Sequence, residues 1–133
     1  VSRYLVDSNH LSAYLDSQPV VTPRIDAAIQ AGHRVGVCLP VLCEYRAGIR
    51  LGRRYQQNLT RLRAAMHVFR FWPTDADTAA EYGRIAQELR AVGRQLAQFD
   101  LLIAAIARQH GLILLTADQD FQPVSQLQIE NWL

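Results

Sequence analysis

Short apolar runs alternate along this chain with stretches in which apolar residues recur at helical spacing. The runs predict strands over 3–6, 34–39, 68–72 and 112–115, with a last, peripheral strand over 127–132. Helical spacing predicts helices over 9–15, from Thr22-Pro23 to Gly32, from Pro40 onward, over 55–65 after a break near Gly52, and over 76–92. Thr22 is expected to cap the second of these with its hydroxyl, and Thr74 and Asp75 to cap the longest. The segment Phe99–Ala107 is apolar nearly all round, too long for a strand and rich in Ala, so it reads as a buried central helix that Gly111 ends. Such alternation describes an α/β fold, a three-layer α/β/α sandwich around a mostly parallel sheet of about five strands. A chain of 133 residues is read as one domain, 1–133, burying roughly two-thirds of its unfolded surface.

Two of the predicted strands run straight into carboxylates. Asp7 ends the first, followed by Ser8 and Asn9; Thr116, Asp118 and Asp120 follow the fourth. Glu44 stands four residues after Pro40, near a helix start, with Gly48 one turn further along the same face, where a small residue permits close packing. Asp100 lies in the first turn of the apolar helix. Each acid alone has a structural explanation as a helix cap or dipole partner. An acid leading the most buried helix is costly without a partner, however. In a parallel α/β sheet Asp7, Glu44, Asp100 and Asp118 reach the same carboxyl edge, where ligands sit. Four unpaired carboxylates in one pocket repel and call for a cation. A donor set of oxygens with no Cys or His suits a hard ion, Mg²⁺ or Mn²⁺, bound chiefly by Asp7, Asp100 and Asp118. Such ions support phosphoryl chemistry. Ser8, Asn9 and Thr116 are placed to orient these acids or a water, and Asp120 is a further candidate ligand.

The net charge of +2 does not identify a nucleic-acid binder, but all fourteen basic residues are Arg and none is Lys. Arg suits phosphate and carboxylate; high genomic GC content explains the same bias. The absence of Lys excludes mechanisms built on a catalytic or phosphate-binding lysine, including that of a two-component receiver domain. Asn9 two residues after Asp7 argues against a haloacid-dehalogenase-type phosphatase, which needs a second Asp there. The run Arg46, Arg50, Arg53, Arg54, Arg61 and Arg63 is either a solvated helix face or a surface turned to RNA. Cys38 and Cys43 lack the spacing of a zinc site and are expected to be buried, reduced thiols. The scattered histidines are expected at surface or element-end positions, with His10 close in sequence to Asp7. No apolar run reaches the roughly 18–20 residues of a membrane span, and the N-terminus has no signal-peptide pattern, so a cytoplasmic location is expected.

Four blocks in order carry a resemblance that covers essentially the whole chain: Val6-Asp7-Ser8-Asn9; Glu44 after Pro40 with Gly48 behind it; Asp100-Leu101-Leu102-Ile103-Ala104-Ala105; and Leu115-Thr116-Ala117-Asp118. With these the chain resembles the PIN-domain family, specifically the VapC-like toxin endonucleases of toxin–antitoxin operons. Ser8 stands where many relatives have Thr, and the lead-in Gln95–Phe99 is less typical. The resemblance implies a metal-dependent endoribonuclease with Asp7, Glu44, Asp100 and Asp118 as its acidic centre, leaving a 5′-phosphate and a 3′-hydroxyl. Arg46, Arg50, Arg53 and Arg54 are the candidate RNA contacts. It further implies a homodimer, an antitoxin partner whose basic side chain enters the acidic groove, and DNA binding only through that antitoxin. The alternatives are an inactive PIN-type RNA-binding or scaffold protein, or a PIN nuclease outside such an operon.

Overall fold

The computed structural model describes residues 1–133. Its strands are β1 (Arg3–Val6), β2 (Arg34–Cys38), β3 (Arg70–Trp72), β4 (Ile113–Leu115) and β5 (Ile129–Glu130). Its helices are α1 (Ser8–Leu15), α2 (Val21–Gln30), α3 (Leu39–Arg50), α4 (Tyr55–Ala65), α5 (Ala76–Ala91) and α6 (Gln98–His110). The strands form one sheet in the order β3-β2-β1-β4-β5, and every pair is parallel. β1 is central: Leu5 lies opposite Gly36 of β2 on one side and Leu114 of β4 on the other. From β1 the chain winds outward to β2 and β3, then returns to β4 and β5, so the topology reverses between β1 and β4. In open parallel sheets the crevice above such a reversal is where ligands bind.

Burial follows the sequence pattern. Leu5 and Val6 of β1, Leu114 and Leu115 of β4, and Ala104 to Ala107 of α6 have no exposure. α6 packs on α5, whereas α1 packs against α2, α3 and α4. Right-handed crossovers on either side of β1 place these two groups of helices on opposite faces. Gly111 closes α6 in the left-handed conformation, φ 64°, as a helix-ending glycine should. Asp75 caps α5 in a reciprocal capping box with Thr78.

Several local expectations are corrected. α2 begins at Val21, and its orphan donors are satisfied not by Thr22 but by Gln18, whose Oε1 accepts from the N–H groups of Val20 and Val21. The Thr22 hydroxyl instead donates to the Tyr14 carbonyl at 3.0 Å, tying α2 to the end of α1. β3 starts at Arg70 because residues 66–69 still donate back to carbonyls of α4, spending their N–H groups before a strand can form. β2 stops at Cys38, since Leu39 already belongs to the helix that carries Pro40 in its first turn. Gly48 has open space around it, so close packing does not account for it. Of the two thiols only Cys38 is buried; Cys43 is exposed, and both are free.

Candidate active site

Asp7 continues the β1–β4 ladder, its N–H donating to the Leu115 carbonyl at 3.1 Å, and then caps α1, its Oδ1 accepting from the His10 N–H at 2.8 Å. One residue thus ends the central strand and starts the next helix, which fixes its carboxylate at the topological reversal. Just past the end of the neighbouring strand β4, Thr116 is buried, and its N–H is held by the Glu130 carbonyl. Its Oγ1 accepts from the Asp118 N–H at 3.0 Å, and Asp118 Oδ1 in turn accepts from Asp120 N–H at 2.9 Å. The hydroxyl after β4 therefore orients the backbone that presents Asp118. Asp118 and Asp120 are both exposed.

Asp100 is half-buried in the first turn of α6. The N-cap there is Ala97, which has no side chain to offer, and Asp100 makes no capping bond. Burial first, and then the negative charges of Asp118, Asp120 and Asp7, push its carboxyl above the ordinary range. Glu44 stands on the outer side of α3. Partial desolvation first, and then Asp100 and Asp7, push it up likewise. Five acids from four separate segments thus share one electrostatic neighbourhood. None of the six ion pairs in the chain involves Glu44, Asp100, Asp118 or Asp120. The site is anionic and has no cationic side chain of its own paired to these four.

That donor set fits a hard divalent cation: oxygen ligands only, mutually repelling, with nothing in the protein to neutralise them. As the side chains stand, no three His, Cys, Asp or Glu groups converge tightly enough to hold a common ion. Glu44, Asp118 and Asp120 are exposed, however, and exposed side chains change rotamer within nanoseconds. The geometry is that of acids brought to one edge and not of a closed coordination shell.

Ser8 is half-buried and Asn9 exposed, at the head of α1. The side chain that grips Asp7 is His10, which lies at an element end, the first turn of α1, as one of the two expected placements has it, but is fully buried and not at the surface. Its signal in the sequence was slight: a polar residue one position before Leu11 on the inward side of a short amphipathic helix. Arg46, Arg50, Arg53 and Arg54 are all exposed and free of ion pairs, and the Arg50 guanidinium lies 4.5 Å over the Tyr55 ring. An apolar cleft of about 420 Å³ lined by Leu39, Pro40, Cys43, Tyr82, Phe99 and Leu102 opens where α3 and α6 begin. Cys43 and Phe99 are the chain neighbours of Glu44 and Asp100, which sets this cleft against the acidic cluster.

Residues 4–127 match the family model of the PIN domain. The chain belongs to the PIN-domain family. Among curated proteins this PIN domain is similar to the tRNA(fMet)-specific endonuclease VapC of Shigella flexneri, 41% identical over 59 residues, which cover 44% of this chain and 45% of that protein. It is similar also to ribonuclease VapC2 of Haemophilus influenzae, 41% identical over 56 residues, 41% of this chain and 42% of that one. The matched stretch thus spans less than half the length of either relative. Among solved structures, VapBC2 of Rickettsia felis bound to a DNA fragment from their promoter superposes with a TM-score of 0.89 at 22% identity, over 98% of this chain and 99% of that one. FitAcB of Neisseria gonorrhoeae superposes at 0.80 with 28% identity, over 96% of each chain. The five-stranded parallel sheet flanked by helices is therefore the PIN fold, as the four sequence blocks implied.

Proposed function

We propose that this PIN domain is an endoribonuclease that works with Mg²⁺ or Mn²⁺ and is the toxin of a toxin–antitoxin pair. The observation that carries the reading is the gathering of Asp7, Glu44, Asp100 and Asp118 at the β1–β4 reversal with no cationic side chain paired to the last three. A PIN family match and local identity to proteins named as ribonucleases support the same chemistry.

Asp7, Asp100 and Asp118 would hold the cation, with Asp120 in reserve beside Asp118. When bound, a divalent ion supplies an activated water and neutralises charge on the phosphate. Glu44 is the group suited to receive a proton, because partial desolvation and then its acidic neighbours raise its basicity and its exposure lets it reach a substrate. Thr116 would hold the backbone that carries Asp118. The exposed guanidinium groups of Arg46, Arg50, Arg53 and Arg54 would hold flanking phosphates of a single strand. Hydrolysis by water leaves a 5′-phosphate and a 3′-hydroxyl, with no call on the ribose 2′-hydroxyl as nucleophile.

The partners proposed are an RNA substrate, a second copy of the chain, and an antitoxin whose basic side chain would occupy the acidic edge and stand in for the ion's charge. DNA enters this scheme only through the antitoxin. No helix is long and apolar enough to cross a membrane. The deciding experiment incubates the protein with RNA and Mg²⁺ or Mn²⁺ and maps the cleaved ends, beside Asp7→Asn and an EDTA control. Cleavage with 5′-phosphate ends that Asp7→Asn cuts by more than about a hundredfold is expected. Cleavage indifferent to both EDTA and Asp7→Asn overturns the reading.

A further inference from the structure

Both hydrogen bonds that the Asp7 carboxylate receives fall on one oxygen. Oδ1 accepts from the His10 main-chain N–H at 2.8 Å and faces His10 Nδ1 at 2.9 Å. On the far side of the ring the Trp132 main-chain N–H donates to Nε2 at 3.0 Å. An N–H aimed at Nε2 needs a lone pair there, so the ring proton sits on Nδ1, facing Asp7. The donor behind the ring selects the tautomer and the carboxylate in front uses it. His10 has no exposure, so water does not compete for either bond.

Trp132 is itself firmly placed. Its ring packs on Tyr4 of β1 with centroids 5.0 Å apart, its indole N–H donates to Glu130 at 3.0 Å, and the Arg24 guanidinium lies 4.2 Å over it. A helix cap at Asp7 needs only the main-chain N–H of His10; an apolar side chain would fill the buried space without burying two polar nitrogens. What the imidazole adds is a second donor to Oδ1, and with Oδ1 doubly engaged only Oδ2 is left without a protein partner.

We propose that His10 is a positioning residue for the acidic centre: its Nδ1–H pins Asp7 Oδ1 to the protein and leaves Oδ2 for a divalent cation, while the main-chain N–H of Trp132 sets the ring's tautomer. This rests on the nuclease reading above. Partners behind metal-binding side chains characteristically change metal affinity or activity by about 10–100-fold when removed.

Two substitutions separate positioning from packing. In His10→Asn the amide nitrogen takes the place of Nδ1 and keeps a donor to Asp7 but leaves Trp132 N–H without its acceptor. In His10→Gln the longer side chain offers an acceptor near Nε2 and gives up the Nδ1 donor. Affinity for Mn²⁺ is measured on each full chain from the spectrum of the free ion in titrations. His10→Asn is expected to bind within about threefold of wild type despite a lower melting temperature, and His10→Gln to lose about 10–100-fold. Equal affinities, or tighter binding by His10→Gln, overturn the proposal. Should a variant fail to fold, long-range proton–nitrogen correlation spectra of the wild-type ring decide it without substitution. A protonated Nδ1 with a bare Nε2 is required, and the reverse pattern overturns it. Wild-type protein that neither binds Mn²⁺ nor cuts RNA removes the nuclease reading itself, an outcome distinct from wild-type binding that His10→Gln leaves unchanged.

Discussion

The indole N–H of Trp72, on edge strand β3, donates to the carbonyl of Tyr4, on central strand β1, at 3.0 Å. It crosses β2 to do so, and the residue it passes is Gly36. A Cβ built on Gly36 would lie 2.6 Å from Trp72 Nε1 and would also run into the carbonyl of Arg70. The glycine is a matter of space, since the strand itself is extended. Gly36→Ala must therefore push β3 outward or expel the indole, and overpacking of this kind costs about 1–3 kcal/mol. Urea unfolding of Gly36→Ala is expected to show that loss, with a shifted tryptophan emission reporting the displaced ring. Trp72→Phe, which removes the donor and keeps most of the volume, should lose less than Gly36→Ala.

The acids that serve the site burden the fold. Carboxyls raised in the folded state, as Asp100 and Glu44 are, bind their protons more tightly there than in the unfolded chain. The resulting penalty is therefore full at pH values above the raised folded pKa, falls as pH descends through it, and is gone below the ordinary carboxylate value of about 4. Asp100→Asn removes the charge. The metal-free variant is expected to melt above metal-free wild type at pH 7.5, with the gap closing toward about pH 4. Each kcal/mol of repulsion relieved raises the midpoint by roughly 3–5 °C in a domain of this size. Variant and wild type must be compared at each pH, because Asp75, held low chiefly by its bond from Gln109, and Glu88, held low by Arg108, lose stability on the same descent. A variant less stable than wild type at pH 7.5 would show that Asp100 is not repelled.

The same repulsion would make the proposed divalent ion a stabiliser. A cation that binds only the folded acids raises stability by about 2.7 kcal/mol at a concentration a hundred times its dissociation constant. Melting curves with increasing Mn²⁺ should move upward for wild type, return with EDTA, and stay nearly flat for Asp7→Asn. A flat wild-type series would remove the metal from the proposed chemistry.

How far the sequence reached can be seen at α1. Apolar periodicity located the helix and the carboxylate before it, because both depend on neighbours within a turn. It could not locate the role of His10, whose ring is fixed by Trp132, 122 residues away. Thr22 and Gln18 tell the same story in miniature: the hydroxyl preceding Pro23 looked like a cap, but the glutamine amide reached the orphan donors first and freed Thr22 to bind α1. The acids were legible because strand ends are. Topology alone, β1 beside β4, brings Asp7 next to the segment of Thr116 and Asp118. The exposure of Cys43 was not legible, since it depends on α3 leaving that face open at the apolar cleft.

That exposure has a direct chemical consequence. Burial pushes the Cys38 thiol up to about 12, so it presents almost no thiolate at neutral pH and no access to reagent. Cys43 is exposed on α3. Titration of the native protein with a disulfide reagent is expected to release one equivalent rapidly and the second only with unfolding. Cys43→Ser should abolish the fast phase and Cys38→Ser should leave it intact. A native protein that yields two fast equivalents would place Cys38 nearer the surface than the core packing allows.

Arg46, Arg50, Arg53 and Arg54 offer the clearest test of which surface the proposed RNA substrate would follow. All four are exposed and free of ion pairs, unlike Arg108, which Glu81 and Glu88 hold. Guanidinium groups with no carboxylate partner are free to displace counterions from a phosphate chain. For single strands the logarithm of the binding constant falls with that of salt at about 0.7 per phosphate neutralised. If Arg53 and Arg54 each meet a phosphate, the double alanine variant should bind a single-stranded RNA more weakly at low salt and show a slope shallower by about 1.4. Its cleavage rate at saturating RNA should be nearly unchanged, because these side chains lie in the α3–α4 connection and not among the acids. A slope identical to that of wild type would return the pair to the role of a solvated helix start, and the groove between α3 and α4, where Arg46, Arg63 and His67 stand beside Leu42, Leu62 and Met66, would become the next path to test.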